Sequence, residues 1–174
     1  LVKNGGIFLA GSTHRGEETP VLEAFAALRK KFPEAKLIIA PRELLRTTEI
    51  VALCRHKGFS VARRTELLEE PRADHDIMIL DTIGELGRVY SIGDVIYVGG
   101  SLISHGGHNI LEPAAHGKAI IVGHNMFNFK DTHVLFTKRN ACITVHDEVE
   151  LCDAVTRLFE DEGERRRMVR IFPV

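Results

Sequence analysis

At 174 residues and 44% hydrophobic content, the chain is the size of one ordinary domain and can bury a core without disulfides or a structural metal. Its 23 basic and 24 acidic residues leave a net charge of −1, which excludes the basic footprint of a nucleic-acid partner. Three scattered cysteines without a CxxC pair argue for a reducing cytoplasm, and no apolar run nears the roughly 20 residues that span a bilayer.

In chain order, Leu1-Val2-Lys3-Asn4 carries neither an initiator Met nor a signal-peptide pattern and leads almost at once into a strand. This is the start expected of an excised domain, with residues 1–174 as one unit. Short β-rich apolar runs then alternate with segments of helical period: Ile7-Ala10, Leu37-Ala40, Ser60-Ala62, Ile77-Leu80, Val95-Val98, Ala119-Val122 and Cys142-Val145. The pattern predicts an α/β fold, a Rossmann-like, mostly parallel sheet with helices on both faces.

Between the first two strands, Thr19 is expected to cap a helix whose first residue is Pro20, with Val21, Leu22, Phe25, Leu28 and Phe32 as its buried stripe. A second helix is predicted over Thr47 to Lys57, stopping at Gly58. Asp147 and Glu150 resemble a capping box ahead of Leu151, Ala154, Val155, Leu158 and Phe159. The arginine-dense segment Glu164-Arg170 reads as a solvated helix face and receives no function.

In open α/β sheets ligands bind beyond the carboxyl ends of the strands, so the loops that follow strands carry the chemistry. After the first strand, Gly11-Ser12-Thr13-His14-Arg15-Gly16-Glu17-Glu18 leads into a helix N-terminus. There the hydroxyls of Ser12 and Thr13 and free N–H groups suit a phosphate or carboxylate. Glu17 and Glu18 read as first-turn acids favoured by the helix dipole. Pro41-Arg42 presents a guanidinium at the end of the second strand, and Gly84 in Asp81-Thr82-Ile83-Gly84-Glu85-Leu86 permits close backbone approach.

The most informative stretch runs from Gly99 to Ala115. Two glycine pairs, Ser101 and a helix N-terminus near Asn109 form a cradle for a nucleotide phosphate, and Glu112, one turn into that helix, offers two acceptor oxygens to a ribose diol. His105 and His108 are metal-ligand types, but a glycine-rich setting without Cys favours phosphate or sugar contact, so no metal is expected. His14, His124 and His146 are too dispersed in sequence to add weight. The loop Met126-Phe127-Asn128-Phe129 offers either stacking faces for a ligand or a plug for the core edge.

Together AGSTHRGEE, Pro41-Arg42, DTIGEL, VGGSLISHGGHNILEPAAHGK and the MFNF loop resemble, over nearly the whole chain, the C-terminal domain of the bacterial Kdo (3-deoxy-D-manno-octulosonic acid) transferases. The resemblance implies the nucleotide-binding half of a GT-B glycosyltransferase. It places CMP on Pro41-Arg42, on Ile83-Gly84-Glu85 (cytosine) and on Asn109-Ile110-Leu111-Glu112 (phosphate and ribose), with Ser12, Thr13, Ser101 and His108 as further contacts. It implies transfer of Kdo from CMP-Kdo to a lipid A precursor in lipopolysaccharide inner-core synthesis, with CMP-Kdo as donor substrate, no cofactor and no metal. The catalytic base, the acceptor site and the attachment to the cytoplasmic face of the bacterial inner membrane would belong to the N-terminal domain, leaving a soluble, inactive fragment here. The chain departs from the family in following Arg42 with Glu43-Leu44-Leu45-Arg46. The competing expectations are a UDP-sugar transferase or epimerase on the same fold, and a non-catalytic nucleotide-binding module.

Overall fold

The computed structural model describes residues 5–69 and 74–170; the start Leu1-Val2-Lys3-Asn4 lies outside the described residues. Among them, seven strands form one sheet: β1 Ile7–Thr13, β2 Lys36–Pro41, β3 Val61–Arg63, β4 Ile77–Ile79, β5 Val95–Val98, β6 Ala119–Gly123 and β7 Cys142–Val145. Their order is β3-β4-β2-β1-β5-β6-β7, and every pair is parallel.

Alternate residues of each strand face opposite layers, because side chains along a strand alternate. Phe8, Ala10, Leu37, Ile39, Tyr97 and Ile121 face one core, with α1 (Glu18–Lys31), α2 (Thr47–His56) and α7 (Glu148–Glu160) packed on it. Leu9, Ile38, Ile96, Val98, Ile120 and Val122 face the other, covered by α4 (Leu86–Val89), α5 (Leu111–Ala115) and α6 (Lys130–Lys138). A short helix, α3 (Arg64–Glu69), follows β3 with none of its residues buried. Burial on both faces is why the strands read as continuous apolar runs.

Helix boundaries follow local chemistry with two corrections. α1 begins at Glu18 with Glu17 at its N-cap; Thr19 does not cap it, and Pro20 sits inside the first turn, where its missing N–H costs nothing. α5 starts at Leu111 and has five residues, because the Asn109 side chain accepts from Leu111 N at 3.0 Å; Glu112 is therefore its second residue. α2 stops as expected, with Gly58 at φ +87 and its N–H on the Arg55 carbonyl. The Asp147 carboxylate caps α7 through Glu150 N at 2.9 Å, while the Glu150 carboxylate accepts from His146 N instead of closing the box. A last helix, α8 (Glu162–Val169), carries the arginine-dense segment as a solvated face, with only Met168 buried.

β1 is where the site begins. Its pairing with β2 slips between Gly11 and Thr13, and Ser12 at the slip has φ 54, a left-handed conformation that non-glycine residues seldom adopt. The bulge lies at the end of β1 between its neighbours β2 and β5, where the strand order reverses.

Candidate functional site

The loop after β5 approaches β1 as closely as backbone allows. A Cβ on Gly99 would lie 2.4 Å from the Ser12 carbonyl oxygen, and one on Gly100, at φ +68, 2.9 Å from the His108 ring. Only glycine fits at either place.

What holds this loop is Glu17. Its side chain is 0% exposed, and its carboxylate accepts from Gly100 N at 2.8 Å, Ser101 N at 3.1 Å, Leu102 N at 3.1 Å, the Tyr97 hydroxyl at 2.6 Å and His14 N at 2.9 Å. Three consecutive N–H groups turned toward one carboxylate form an anion nest, and the charge raises the Tyr97 phenol further above its ordinary range, beyond what burial does. The glycine pairs and the helix N-terminus near Asn109 were expected to cradle a nucleotide phosphate; the N–H groups of Gly100, Ser101 and Leu102 are already satisfied from within. Ser101 is likewise spent inside: its hydroxyl donates to Val98 O at 2.6 Å and accepts from Gly123 N at 2.8 Å. Thr13 is buried, with a hydroxyl that has no hydrogen-bond partner among the described residues.

Glu18, read as a first-turn acid, is 2% exposed and takes a bidentate grip from buried Arg46 at 2.9 and 3.1 Å. That hydrogen-bonded pairing outweighs burial and raises the Arg46 pKa. Arg46 also meets Glu49, which is held in turn by Arg15. The network ties the segment after β2 to the start of α1 and so fixes where Arg42 stands. Glu17, Glu18 and Arg46 were missed as site-building residues; the one signal for them was the adjacency of two acids to a loop already singled out.

Arg42 is exposed, its N–H bonded to Thr13 O at 2.9 Å. Ile83 is 89% exposed, Gly84 has φ +80 with open space around it, and Glu85 is hydrogen-bonded by Thr82 and by Arg64, which lowers its pKa. Glu112 is exposed, and its Oε2 lies 4.0 Å from the Cβ position of Gly87. His116 reaches the Gly87 carbonyl at 2.8 Å, which joins the end of α5 to α4, so Glu112 stands beside the helix that follows the Ile83-Gly84-Glu85 turn. Burial and then the Glu112 charge hold the Tyr90 phenol above its usual range, and Ser12 hydrogen-bonds it. Asn109 and Ile110, the latter buried, set the entry to α5.

The MFNF loop splits between its two readings. Met126 is buried, Phe129 packs on the core, and Asn128 donates to the His105 carbonyl at 3.1 Å, while Phe127 remains exposed.

The fold also corrects the reading of His14 as too distant to matter. His14 and His108 meet Nε2 to Nε2 at 2.7 Å, and the His105 ring lies 4.0 Å from that of His14. Burial, followed by neighbouring rings, holds His14 below its ordinary pKa and His108 down to about 4, with Arg42 adding to the latter. His124 and His146, by contrast, stack on each other at 5.2 Å, and the His146 ring meets the Glu150 carboxylate at 2.9 Å.

No family model matches the chain. The 3-deoxy-D-manno-octulosonic acid transferase of Haemophilus influenzae is 33% identical over 163 residues, which are 93% of this chain and 38% of that protein. The chain thus spans about two fifths of the length of that relative. Among solved structures, the C-terminal CMP-Kdo binding domain of WaaA from Acinetobacter baumannii matches with a TM-score of 0.88 at 28% identity, over 97% of this chain and 88% of that one. The Anabaena protein HepE, solved with UDP and glucose, shares the fold alone, at TM-score 0.66 and 13% identity. Kinship over nearly the whole sequence and a matching seven-stranded parallel sheet agree: this chain is a homologue of the Kdo transferases and has the fold of a GT-B glycosyltransferase C-terminal domain.

Proposed function

We propose that the chain is the donor-binding domain of a Kdo transferase, taking the CMP part of CMP-Kdo at the carboxyl ends of β2, β4 and β5. The observation that carries this reading is its likeness to the A. baumannii CMP-Kdo binding domain, with the expected loops gathered at one end of the sheet. In this reading the turn at Ile83-Gly84-Glu85 offers its backbone to cytosine, with exposed Ile83 and Leu111 as apolar surfaces for the ring. Glu112 accepts from the ribose hydroxyls, and Asn109 with Arg42 faces the phosphate.

Pro41 holds Arg42 at the strand end, while Ile110 anchors the other loop. As the anomeric carbon gains oxocarbenium character, negative charge grows on the departing CMP phosphate, and a fixed guanidinium there stabilises it. The acceptor, a lipid A precursor, and the base that deprotonates it belong to a second domain, as does attachment at the cytoplasmic face of the inner membrane. Among the described residues no helix is long and apolar enough to cross a membrane.

Calorimetric titration of this chain with CMP, CDP and UDP tests the reading. CMP is expected to bind best, with affinity unchanged by EDTA, and Glu112→Ala is expected to weaken it about tenfold, or about 1.4 kcal/mol. Preference for UDP moves the chain to a UDP-sugar enzyme, and absence of nucleotide binding overturns the proposal.

A further inference from the structure

The spacing of His105 and His108 in sequence gives two imidazoles on one glycine-rich loop, which is too little for a metal. The fold supplies the third. We propose that His14, His105 and His108 form a binding site for one divalent transition-metal ion of the zinc class, with three imidazole ligands and one open position.

The ligand nitrogens of these three residues all lie within 4.8 Å of one another, and His14 Nε2 and His108 Nε2 face each other in a hydrogen bond of 2.7 Å that a metal ion between them would replace. Tetrahedral zinc with nitrogens at roughly 2.0–2.1 Å needs them about 3.3 Å apart. The His14–His108 pair must open by about 0.6 Å and the widest pair close by up to about 1.5 Å to reach that spacing. His105 is exposed, so rotation about its side-chain bonds can provide most of the closure.

The cluster rests on a rigid base. His14 is fixed by its N–H on the Glu17 carboxylate, beyond the bulge that ends β1. His105 and His108 flank Gly106-Gly107, and Gly107 N bonds Gly100 O at 2.8 Å. A Cβ on Gly100 would press on both rings, at 2.9 Å from His108 and 3.1 Å from His105, so this glycine keeps the rings' space clear. Imidazole is a ligand type for zinc, copper and nickel, and three histidines with an open fourth place are a known arrangement for zinc.

Electrostatics agree with the geometry. The Glu17 carboxylate, which accepts from His14 N at 2.9 Å, sets a negative charge beside the cluster.

The proposal does not depend on CMP binding, and its test uses the metal alone. The chain, freed of metal by chelator, is titrated with Zn2+ by calorimetry and with Co2+ by visible absorption. One ion per chain is expected, at micromolar affinity or better, with the intense bands of four-coordinate Co2+. His105→Ala and His108→Ala should each weaken binding at least about tenfold with melting curves preserved, while His146→Ala, in the separate His124–His146 pair, should leave it unchanged. Saturable binding only in the millimolar range, or equal loss in His146→Ala, overturns the site. A CMP titration of the same sample in EDTA reports on the nucleotide reading separately, so the two can fail independently.

Discussion

Glu17 shows how much one buried carboxylate can organise. Five donors converge on it, four of them backbone N–H groups, and a buried donor left without a partner costs about 1–3 kcal/mol. Glu17→Ala should therefore lower stability by about 3–5 kcal/mol, or about 10 °C in melting temperature for a domain of this size. Glu17→Gln, which keeps one acceptor oxygen but turns an NH2 toward the other donors, should lose about half as much. A thermal melt of both variants decides it, and unchanged melting in Glu17→Ala would show that water replaces the carboxylate. The role of Glu17 was not legible in the sequence because four of its five partners lie 80 or more residues away, where no local pattern can display them. The glycines that make room for the loop were legible, since they cluster; what fills the nest they form was not.

Among elements, the strands were the most readable. All seven expected runs are strands, with β5 and β7 at the expected limits, because burial on both faces leaves nothing but apolar residues there. Helix starts were less readable. α1 begins earlier than the Thr19-Pro20 signal because Glu17 and Glu18 are recruited by distant partners, and α5 begins later because Asn109 folds back on Leu111 N. The joint between α1 and the segment before α2 is the buried Glu18–Arg46 pair. Removing one member leaves an uncompensated buried charge at about 3–5 kcal/mol, whereas replacing both with apolar side chains is close to neutral. Urea denaturation should thus find Glu18→Leu and Arg46→Leu each strongly destabilised and the double variant largely restored. Additive losses would mean that the two side chains do not act as a pair.

At the scale of the molecule, stability should fall from the middle of the sheet outward. β1 and β5 are central, with Phe8, Leu9, Ala10, Val95, Ile96, Tyr97 and Val98 all 0% exposed, while β3 is a three-residue edge strand. Native-state hydrogen exchange is expected to show the β1 and β5 amides opening only with global unfolding and those of β3 exchanging through local opening. Equal protection in β3 would mean that the sheet behaves as one cooperative unit out to its edge. The same centre-out gradient puts the carboxyl ends of β1 and β5, and the loops they carry, on the most stable part of the fold. Glycine-rich loops ordinarily flutter, and a ligand must wait for them or pay to still them. Here the stilling happens once, when the chain folds and Glu17 enters the nest. Under the proposed function, a donor arriving at this face would meet a docking berth already moored, and the pace of its capture would be governed by diffusion and orientation instead of by the closing of a gate.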